Sequence, residues 1–164
     1  MIPNKEITFK FFNYKWKLVP KWAKATEQIY RKWYLERYGY NTLDNLKDFL
    51  KDKKFILEAG CGLGRDSKMF AELNSESHIV AMDQSGNALK VAKEYLKSFN
   101  NCEIMQADIT NFTYPEKFDF ISCDQVIHHT PNSGDTLRYF FEHLNVNGVV
   151  NFSVCKKRNE MRDL

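Results

Sequence analysis

A glycine-rich run directly after a β-rich run constrains the fold of this chain more than any other feature. Residues 55–65 read F-I-L-E-A-G-C-G-L-G-R, and a stretch with helical character follows. Glycines at a strand-to-helix turn permit positive φ and let the backbone lie against a ligand, while the helix N-terminus presents unpaired amides. The spacing is G-x-G-x-G, not the G-x-G-x-x-G of dinucleotide enzymes. The run predicts a nucleotide-binding loop, and a tight turn without a ligand is the alternative.

From residue 54 onward, short β-rich runs alternate with helical stretches, a pattern typical of parallel strands joined by crossover helices. We therefore expect an α/β fold. The predicted strands are residues 55–58, 78–83, 103–106, 118–123 and 149–154. The predicted helices are residues 23–38, 42–50, 65–73, 86–99 and 135–144. Gly39 is the expected stop of the first helix, and Thr42 and Ser85 are expected N-caps.

Two acidic residues follow predicted strands where a nucleoside would lie. Asp83 ends the second strand, and its carboxylate can accept hydrogen bonds from both hydroxyls of a ribose. Asp108 follows the third strand, where it can accept from an exocyclic amine while an apolar neighbour packs on a purine face. The alternatives are a helix cap for Asp83 and a surface turn for Asp108. Ser85 already supplies the cap, which favours the binding interpretation of Asp83.

With these residues, the chain resembles the Rossmann-like, class I, S-adenosylmethionine-dependent methyltransferases. The match rests on residues 58–64, on Asp83, on residues 107–108 and on residues 118–121, four motifs in the right order. It covers residues 54–154. The resemblance implies a Rossmann-like parallel sheet, S-adenosylmethionine as cofactor and S-adenosylhomocysteine as product.

The resemblance also implies a set of cofactor-binding residues. The glycine loop would pass the methionine part, Asp83 would hold the ribose and Asp108 would read the adenine. Glu58 would orient the loop or the cofactor's ammonium group. The expected set is Glu58, Gly60, Cys61, Gly62, Gly64, Asp83, Gln84, Ala107, Asp108, Ile109 and Asp124.

The residues after the fourth strand bear on the chemistry. Methyl transfer needs alignment of the acceptor and, for weak nucleophiles, removal of a proton, which histidine can perform near neutral pH. His129 matches a histidine common in small-molecule members of the family and is the expected catalytic residue; a structural histidine behind the loop is the alternative. Related ubiquinone-pathway enzymes carry two carboxylates here, whereas this chain has Gln125 and His128. We expect no metal ion, because the oxygen ligands that Mg²⁺ prefers are missing.

We expect a small-molecule acceptor with oxygen or carbon as the nucleophile, since the Asn-Pro-Pro-Tyr type motif of amino-methylating enzymes is absent. One alternative is a non-catalytic cofactor-binding paralogue or partner subunit. The other is an RNA methyltransferase. The formal net charge of +3 argues against a nucleic-acid-coating protein.

That small net charge hides an asymmetry. Basic residues outnumber acidic ones by 13 to 6 in residues 1–54 and are outnumbered by 15 to 11 in the rest, and 12 of the 24 aromatic residues lie in the first part. We divide the chain into an aromatic, basic helical extension at residues 1–53 and a cofactor-binding core at residues 54–164. The extension is a candidate lid over the cofactor, with Trp16, Trp22, Tyr30 and Trp33 as its lid residues. Helix packing or single-stranded RNA binding are the alternatives.

The core is shorter than the family's pattern of seven strands. Residues 156–164 cannot supply the last two strands, so we expect an exposed edge on the fifth strand. A fragment of a longer enzyme is the favoured explanation; pairing of that edge with another subunit and a truncated paralogue are the others. The sequence shows no membrane-spanning run and no signal-peptide pattern, and four unpaired cysteines fit a reducing compartment. We therefore expect a cytoplasmic protein.

Overall fold

The computed structural model describes residues 5–18 and 26–154, with side chains described from residue 6 to 15 and from 26 to 154. In that part of the chain five parallel strands form one sheet in the order β3-β2-β1-β4-β5. The strands are β1 (Phe55–Ala59), β2 (His78–Asp83), β3 (Cys102–Gln106), β4 (Phe118–Cys123) and β5 (Leu144–Phe152). The helices are α1 (Lys5–Leu18), α2 (Glu27–Arg37), α3 (Leu43–Leu50), α4 (Arg65–Leu73), α5 (Gly86–Leu96) and α6 (Ser133–Glu142), with a 3-10 turn at Ile127–His129. The predicted α/β, Rossmann-like fold is confirmed.

Both faces of the sheet are buried, because alternate side chains of each strand point to opposite sides. Ile56 and Phe120 pack with residues of α2, α3 and α4 on one face. Leu57 and Ile121 pack with Phe140 of α6 on the other face. This arrangement explains why the strands are continuous apolar runs rather than alternating ones.

Two helices of the predicted extension belong to the core. Tyr34 of α2 is 1% exposed, and its hydroxyl lies 2.9 Å from the Ser122 hydroxyl in β4. Leu46 and Leu50 of α3 are fully buried in the same cluster as Ile56. Helices α2 and α3 therefore help to cover one face of the sheet. The division of the chain at residue 54 stays a prediction.

A buried carboxylate attaches α2 to α4 and α5. Glu27 accepts hydrogen bonds from Arg31 at 2.6 Å, from Lys68 of α4 at 2.9 Å and from the Tyr95 hydroxyl of α5. Burial opposes ionisation of Glu27, but the hydrogen bonds from Tyr95 and Lys68 prevail and lower its pKa. Helix α2, which lies in the extension at residues 1–53, is thus attached to α4 and α5.

None of the individually predicted helices covers α1, although residues 1–53 are expected to form a helical extension. Its residues Thr8, Phe9, Phe12 and Asn13 are half-buried, with the spacing of one helix face. The Asn13 side chain accepts a hydrogen bond from the Ser85 hydroxyl at 2.9 Å, at the start of α5. Helix α1 therefore lies across α5, at the carboxyl ends of the strands.

The fifth strand differs from its predicted bounds. It begins at Leu144 instead of residue 149, because Leu144 pairs with Phe118 and the register then shifts, so that Val149 pairs with Phe120. The intervening residues 145–148 contain Asn147 with φ of +65°, a conformation that a sequence reading assigns to a turn. Helix α6 begins two residues earlier than predicted, because the Asn132 side chain caps the amides of residues 134 and 135.

The remaining element ends agree with the sequence to within a few residues. Strands β2 and β4 and helix α4 have their predicted bounds, whereas α5 ends at Leu96 rather than residue 99. Thr42 and Ser85 cap their helices through side-chain oxygens, and Gly39 follows α2 with φ of +74°. No helix within the described ranges is long and apolar enough to cross a bilayer.

Candidate functional site

A cavity of about 510 Å³ lies at the carboxyl ends of β1, β2, β3 and β4. Its wall is formed by the glycine loop, by the residues that follow the other three strands, and by side chains from α1 and α2. Eleven of the twelve predicted site residues line it: Glu58, Gly60, Cys61, Gly62, Asp83, Gln84, Ala107, Asp108, Ile109, Asp124 and His129. The fold thus brings residues from four strand ends to one place; their individual roles stay predictions.

The glycine loop is held against β2. The amides of Gly60 and Cys61 both donate to the Met82 carbonyl at 2.8 Å. Gly60 has φ of +88°, and a Cβ there would lie 2.6 Å from both methyl groups of Val126. Only glycine allows this approach of the loop to the segment after β4.

Gly64 is the predicted site residue that does not line the cavity. It has φ of +76° and precedes α4, and a Cβ there would lie 3.0 Å from the Leu96 side chain and 3.2 Å from that of Ala92. The absence of a side chain at Gly64 allows α4 to pack closely on α5. Its direct contribution to cofactor binding stays a prediction.

Asp83 connects the glycine loop to the start of α5. One carboxylate oxygen accepts from the Gly62 amide at 2.9 Å and the other from the Ser85 amide at 2.8 Å. Burial raises the pKa of Asp83, while these amides act in the opposite direction. The Gln84 amide acts in the same direction, and the lone-pair positions that these amides leave free, of about four on a carboxylate, can accept from hydroxyl groups in the cavity.

Glu58 is buried at the end of β1. It accepts hydrogen bonds from the amide of Ser67, at 2.8 Å, and from the Ser67 hydroxyl. Burial raises the pKa of Glu58 well above its usual value, and the nearby carboxyl of Asp66 adds to the effect. Asp66, which sequence reasoning missed, also lines the cavity, and burial together with Asp124 raises its pKa to about 7.

The segment after β3 supplies a polar and an apolar wall. Asp108 accepts from the Thr110 amide at 2.9 Å and from the Thr110 hydroxyl at 2.7 Å. Ile109 is 7% exposed and packs in the core, with Ala107 against the same cluster. A planar heterocycle could lie against these apolar groups, within reach of the Asp108 carboxylate.

Asp124 follows β4 and accepts hydrogen bonds from residues at the end of α2 and after β5. The Arg37 guanidinium donates to both of its carboxylate oxygens, the Tyr38 hydroxyl donates at 2.9 Å, and the Ser153 hydroxyl donates at 2.8 Å. The next residue, Gln125, has φ of +56°. The turn after β4 is therefore fixed by both α2 and the end of β5.

His128 and His129 lie side by side in the cavity wall, with ring centroids 4.0 Å apart. The Phe12 ring of α1 meets the His129 ring edge-on at 4.7 Å. Burial lowers the pKa of His129 to about 4, and the nearby His128 and Lys15 contribute in the same direction. His129 is consequently neutral at pH 7 and able to accept a proton or a hydrogen bond.

The predicted lid residues have different positions. Tyr30 lines the cavity, whereas Trp33 is 49% exposed and is not part of the wall. The Trp16 side chain and the whole of Trp22 lie outside the described residues. Phe11, Phe12 and Lys15 of α1 also line the cavity, and no signal in the sequence places α1 against α5.

A group of three or more His, Cys, Asp or Glu side chains suited to a metal ion does not occur among the described residues.

The chain is similar to several known proteins. A family model described as a methyltransferase domain matches residues 50–163. A malonyl-[acyl-carrier protein] O-methyltransferase of Bacillus cereus is 30% identical over 98 residues, which cover 60% of this chain and 36% of that protein. A ubiquinone biosynthesis O-methyltransferase of Azoarcus is 28% identical over 107 residues, covering 63% of this chain and 45% of that protein. This chain spans less than half the length of both relatives.

A solved structure shares the fold. The N-methyltransferase NodS of Bradyrhizobium japonicum, in complex with S-adenosyl-L-homocysteine, superposes with a TM-score of 0.61 at 21% identity, covering 71% of this chain and 60% of that one.

Proposed function

The chain belongs to the methyltransferase domain family, and we propose that it is an S-adenosylmethionine-dependent methyltransferase acting on a small molecule. One observation carries the proposal: residues predicted to bind the cofactor, from the ends of four strands, line a single cavity. Ligands of open α/β sheets bind at the carboxyl ends of the strands. The cavity has that position.

The residues of the cavity fit the groups of this cofactor. Asp83 offers its remaining lone pairs to the ribose hydroxyls, and Asp108, beside Ile109, accepts from the adenine amine. The glycine loop, with Gly60 and Gly62, leaves the backbone open along the methionine part. Glu58 accepts hydrogen bonds from Ser67 in the first turn of α4, and its carboxyl group is our candidate acceptor for the ammonium group of the cofactor.

When bound, the cofactor supplies a methyl group on an electrophilic sulfonium. The task of the protein is to align the nucleophile and to take its proton. His129 is our candidate for the base that accepts this proton, because its ring lines the cavity and is neutral at pH 7. The Phe12 ring packs edge-on against the His129 ring.

For the acceptor we propose a hydroxyl or another oxygen nucleophile of a metabolite. The two relatives described above are O-methyltransferases by name; one name gives malonyl-[acyl-carrier protein] as the acceptor and the other gives ubiquinone biosynthesis. Carbon nucleophiles are the second choice within the same site.

The deciding experiment is calorimetry of the full chain with S-adenosylmethionine, S-adenosylhomocysteine and NAD. We expect both adenosyl compounds to bind at micromolar concentration and NAD to bind weakly. A preference for NAD would contradict the proposal. Transfer of a labelled methyl group to fractionated metabolites then separates an enzyme from a protein that only binds the cofactor, and transfer to RNA would favour an RNA methyltransferase.

Two further proposals concern the association and the location of the protein. We propose that the outer edge of β5, on which no strand of residues 5–18 and 26–154 pairs, associates with a second copy of the chain. Light scattering coupled to gel filtration should then show a dimer, and a monomer at all concentrations would contradict it.

We also propose that the protein is cytoplasmic, because Cys61, Cys102 and Cys123 are free thiols. Cell fractionation tests this proposal.

A further inference from the structure

Large apolar side chains are exposed on the outer sides of α1 and α2. Single exposed apolar side chains are ordinary on a protein surface, whereas a group of them at one place marks a binding surface. Six such side chains of these two helices are between 42 and 67% exposed, and we call them the apolar rim: Ile7, Phe11, Tyr14, Ile29, Tyr30 and Trp33.

Helix α1 presents its share of the apolar rim on one face. Ile7, Phe11 and Tyr14 have the spacing of neighbours on a helix surface. The opposite face includes Asn13, which is half-buried and accepts a hydrogen bond from the Ser85 hydroxyl of α5 at 2.9 Å. The contact with α5 therefore keeps the apolar face of α1 turned outward.

The apolar rim lies at the edge of the cavity. Phe11 of α1 and Tyr30 of α2 are exposed and also belong to the cavity wall. The Trp33 ring, which is not part of the wall, packs edge-on against the Tyr30 ring with centroids 5.3 Å apart. Two helices thus supply exposed apolar side chains around one opening.

Positive charge accompanies the apolar rim. The sequence of α1 contains four lysines and one glutamate, which gives the helix a formal charge of +3. Lys10 and Glu6 form an ion pair at 2.7 Å, but both side chains are exposed, so the pair stays in contact with solvent. A basic helix with aromatic side chains on one face is typical of helices that lie on the surface of a membrane.

Two other partners fit these side chains less well. Lysine is depleted in protein–protein interfaces, but it is frequent on helices that bind anionic lipids. Single-stranded RNA would stack its bases on aromatic rings, whereas Ile7 and Ile29 offer apolar area without a ring. Tyrosine and tryptophan favour the level of lipid headgroups, because each ring is apolar and carries one polar atom.

We propose that the apolar rim and the lysines of α1 bind the surface of an anionic phospholipid bilayer, with the mouth of the cavity facing the lipid. The apolar side chains enter the boundary between headgroups and acyl chains, and the lysines remain at the level of the phosphates. Such binding needs no membrane-spanning helix. It is also independent of the proposed function, since it concerns the surface around the cavity and not the cofactor.

The test is co-sedimentation of the full chain with vesicles made of phosphatidylglycerol and phosphatidylcholine in equal amounts, and with vesicles of phosphatidylcholine alone. We expect stronger binding to the anionic vesicles, and a decrease at high salt because the charges are screened. Tyr14→Ala and Trp33→Ala should each lower the partition coefficient about tenfold, as for the loss of an aromatic side chain that is buried in lipid.

Phe141→Ala is the matched control for the aromatic variants. Phe141 is similarly exposed, but it lies on α6, which covers the other face of the sheet from α2. It should bind vesicles as the wild type does. For the charge, Lys10→Glu should weaken binding to anionic vesicles, whereas Lys51→Glu should not, although both lysines are exposed and belong to surface ion pairs.

No binding to anionic vesicles would overturn the inference. Equal losses in the control variants, or binding that Tyr14→Ala and Trp33→Ala leave unchanged, would also overturn it. A dimer that is lost in Trp33→Ala, without binding to vesicles, would identify a second copy of the chain as the occupant and overturn it as well. Failure of the chain to bind S-adenosylmethionine would instead overturn the proposed function and leave vesicle binding unaffected.

Discussion

Arg37 donates hydrogen bonds to both carboxylate oxygens of Asp124, at 2.8 and 2.6 Å, and so attaches the end of α2 to the carboxyl end of β4. The two residues lie 87 positions apart in the sequence, and neither side chain is more than 28% exposed. Asp124 also raises the pKa of Asp66 across the cavity wall. The pair therefore determines both the position of the turn after β4 and the charge balance around the glycine loop.

Removal of Arg37 should destabilise the protein. In Arg37→Ala, Asp124 keeps only neutral hydroxyl partners, and we expect a loss of about 1–3 kcal/mol in the free energy of unfolding. Urea denaturation of Arg37→Ala, Asp124→Asn and the double variant measures the coupling between the two side chains. Effects of the single variants that simply add would contradict a direct interaction.

Gly60 and Gly39 form a matched pair for the glycine loop. Both have positive φ, but a Cβ at Gly39 meets no atom within 4 Å, whereas one at Gly60 lies 2.6 Å from the Val126 methyls. We expect Gly39→Ala to cost about 1 kcal/mol of stability, from backbone strain alone. Gly60→Ala should cost about 1–3 kcal/mol more, because overpacking is added.

The Gly60→Ala protein should also bind S-adenosylhomocysteine at least tenfold more weakly, since the loop must shift away from the cavity. Gly39→Ala should bind as the wild type does. Calorimetry at a temperature where both variants are folded measures the difference. Equal affinities in the two variants would mean that the loop does not approach the cofactor.

His129 should affect methyl transfer but not cofactor binding. If it accepts the proton of the nucleophile, His129→Gln should lower kcat by about 10²- to 10⁴-fold, with little change in the dissociation constant of S-adenosylmethionine. His128→Gln is the control, because His128 lies in the same wall with its ring 4.0 Å away. Equal losses in both variants would favour a packing function for the pair.

If His129 is the base, its pKa near 4 determines how the rate of methyl transfer depends on pH. A base that is already neutral above about pH 5 gives no rise in rate between pH 6 and 8. A rate limb in that range that disappears in His129→Gln would contradict the low pKa.

The sheet could be predicted closely because its strands are uninterrupted apolar runs with clear limits. β2 ends at Asp83 and β4 begins at Phe118, and both bounds coincide with an end of an apolar run in the sequence. The start of β5 could not be found in this way. Its first pair, Leu144 with Phe118, precedes a register shift that depends on contacts between strands distant in sequence.

The cavity was predicted where local motifs mark it and missed where packing creates it. Asp83 and Asp108 are recognisable because each follows a strand in a defined order. Phe12 and Lys15 line the cavity only because α1 packs across α5, a contact that the interleaved aromatic and basic residues of α1 do not reveal. The pKa of Asp66 likewise depends on Asp124, which is brought near by the fold.

Asp66 should make stability depend on pH. Its pKa is raised by burial and by Asp124 to about 7, above the ordinary value of 3.8, so the folded state holds a proton that the unfolded state releases. Stability therefore falls as the pH rises from about 4 to 7, and the ionised carboxylate is unfavourable above that range.

The Asp66→Asn substitution removes this pH-dependent contribution to stability. Urea denaturation should show the variant to be more stable than the wild type by a larger margin at pH 8 than at pH 5. The exposed Asp52→Asn should show the same margin at both values, and an equal margin for Asp66→Asn would contradict the raised pKa.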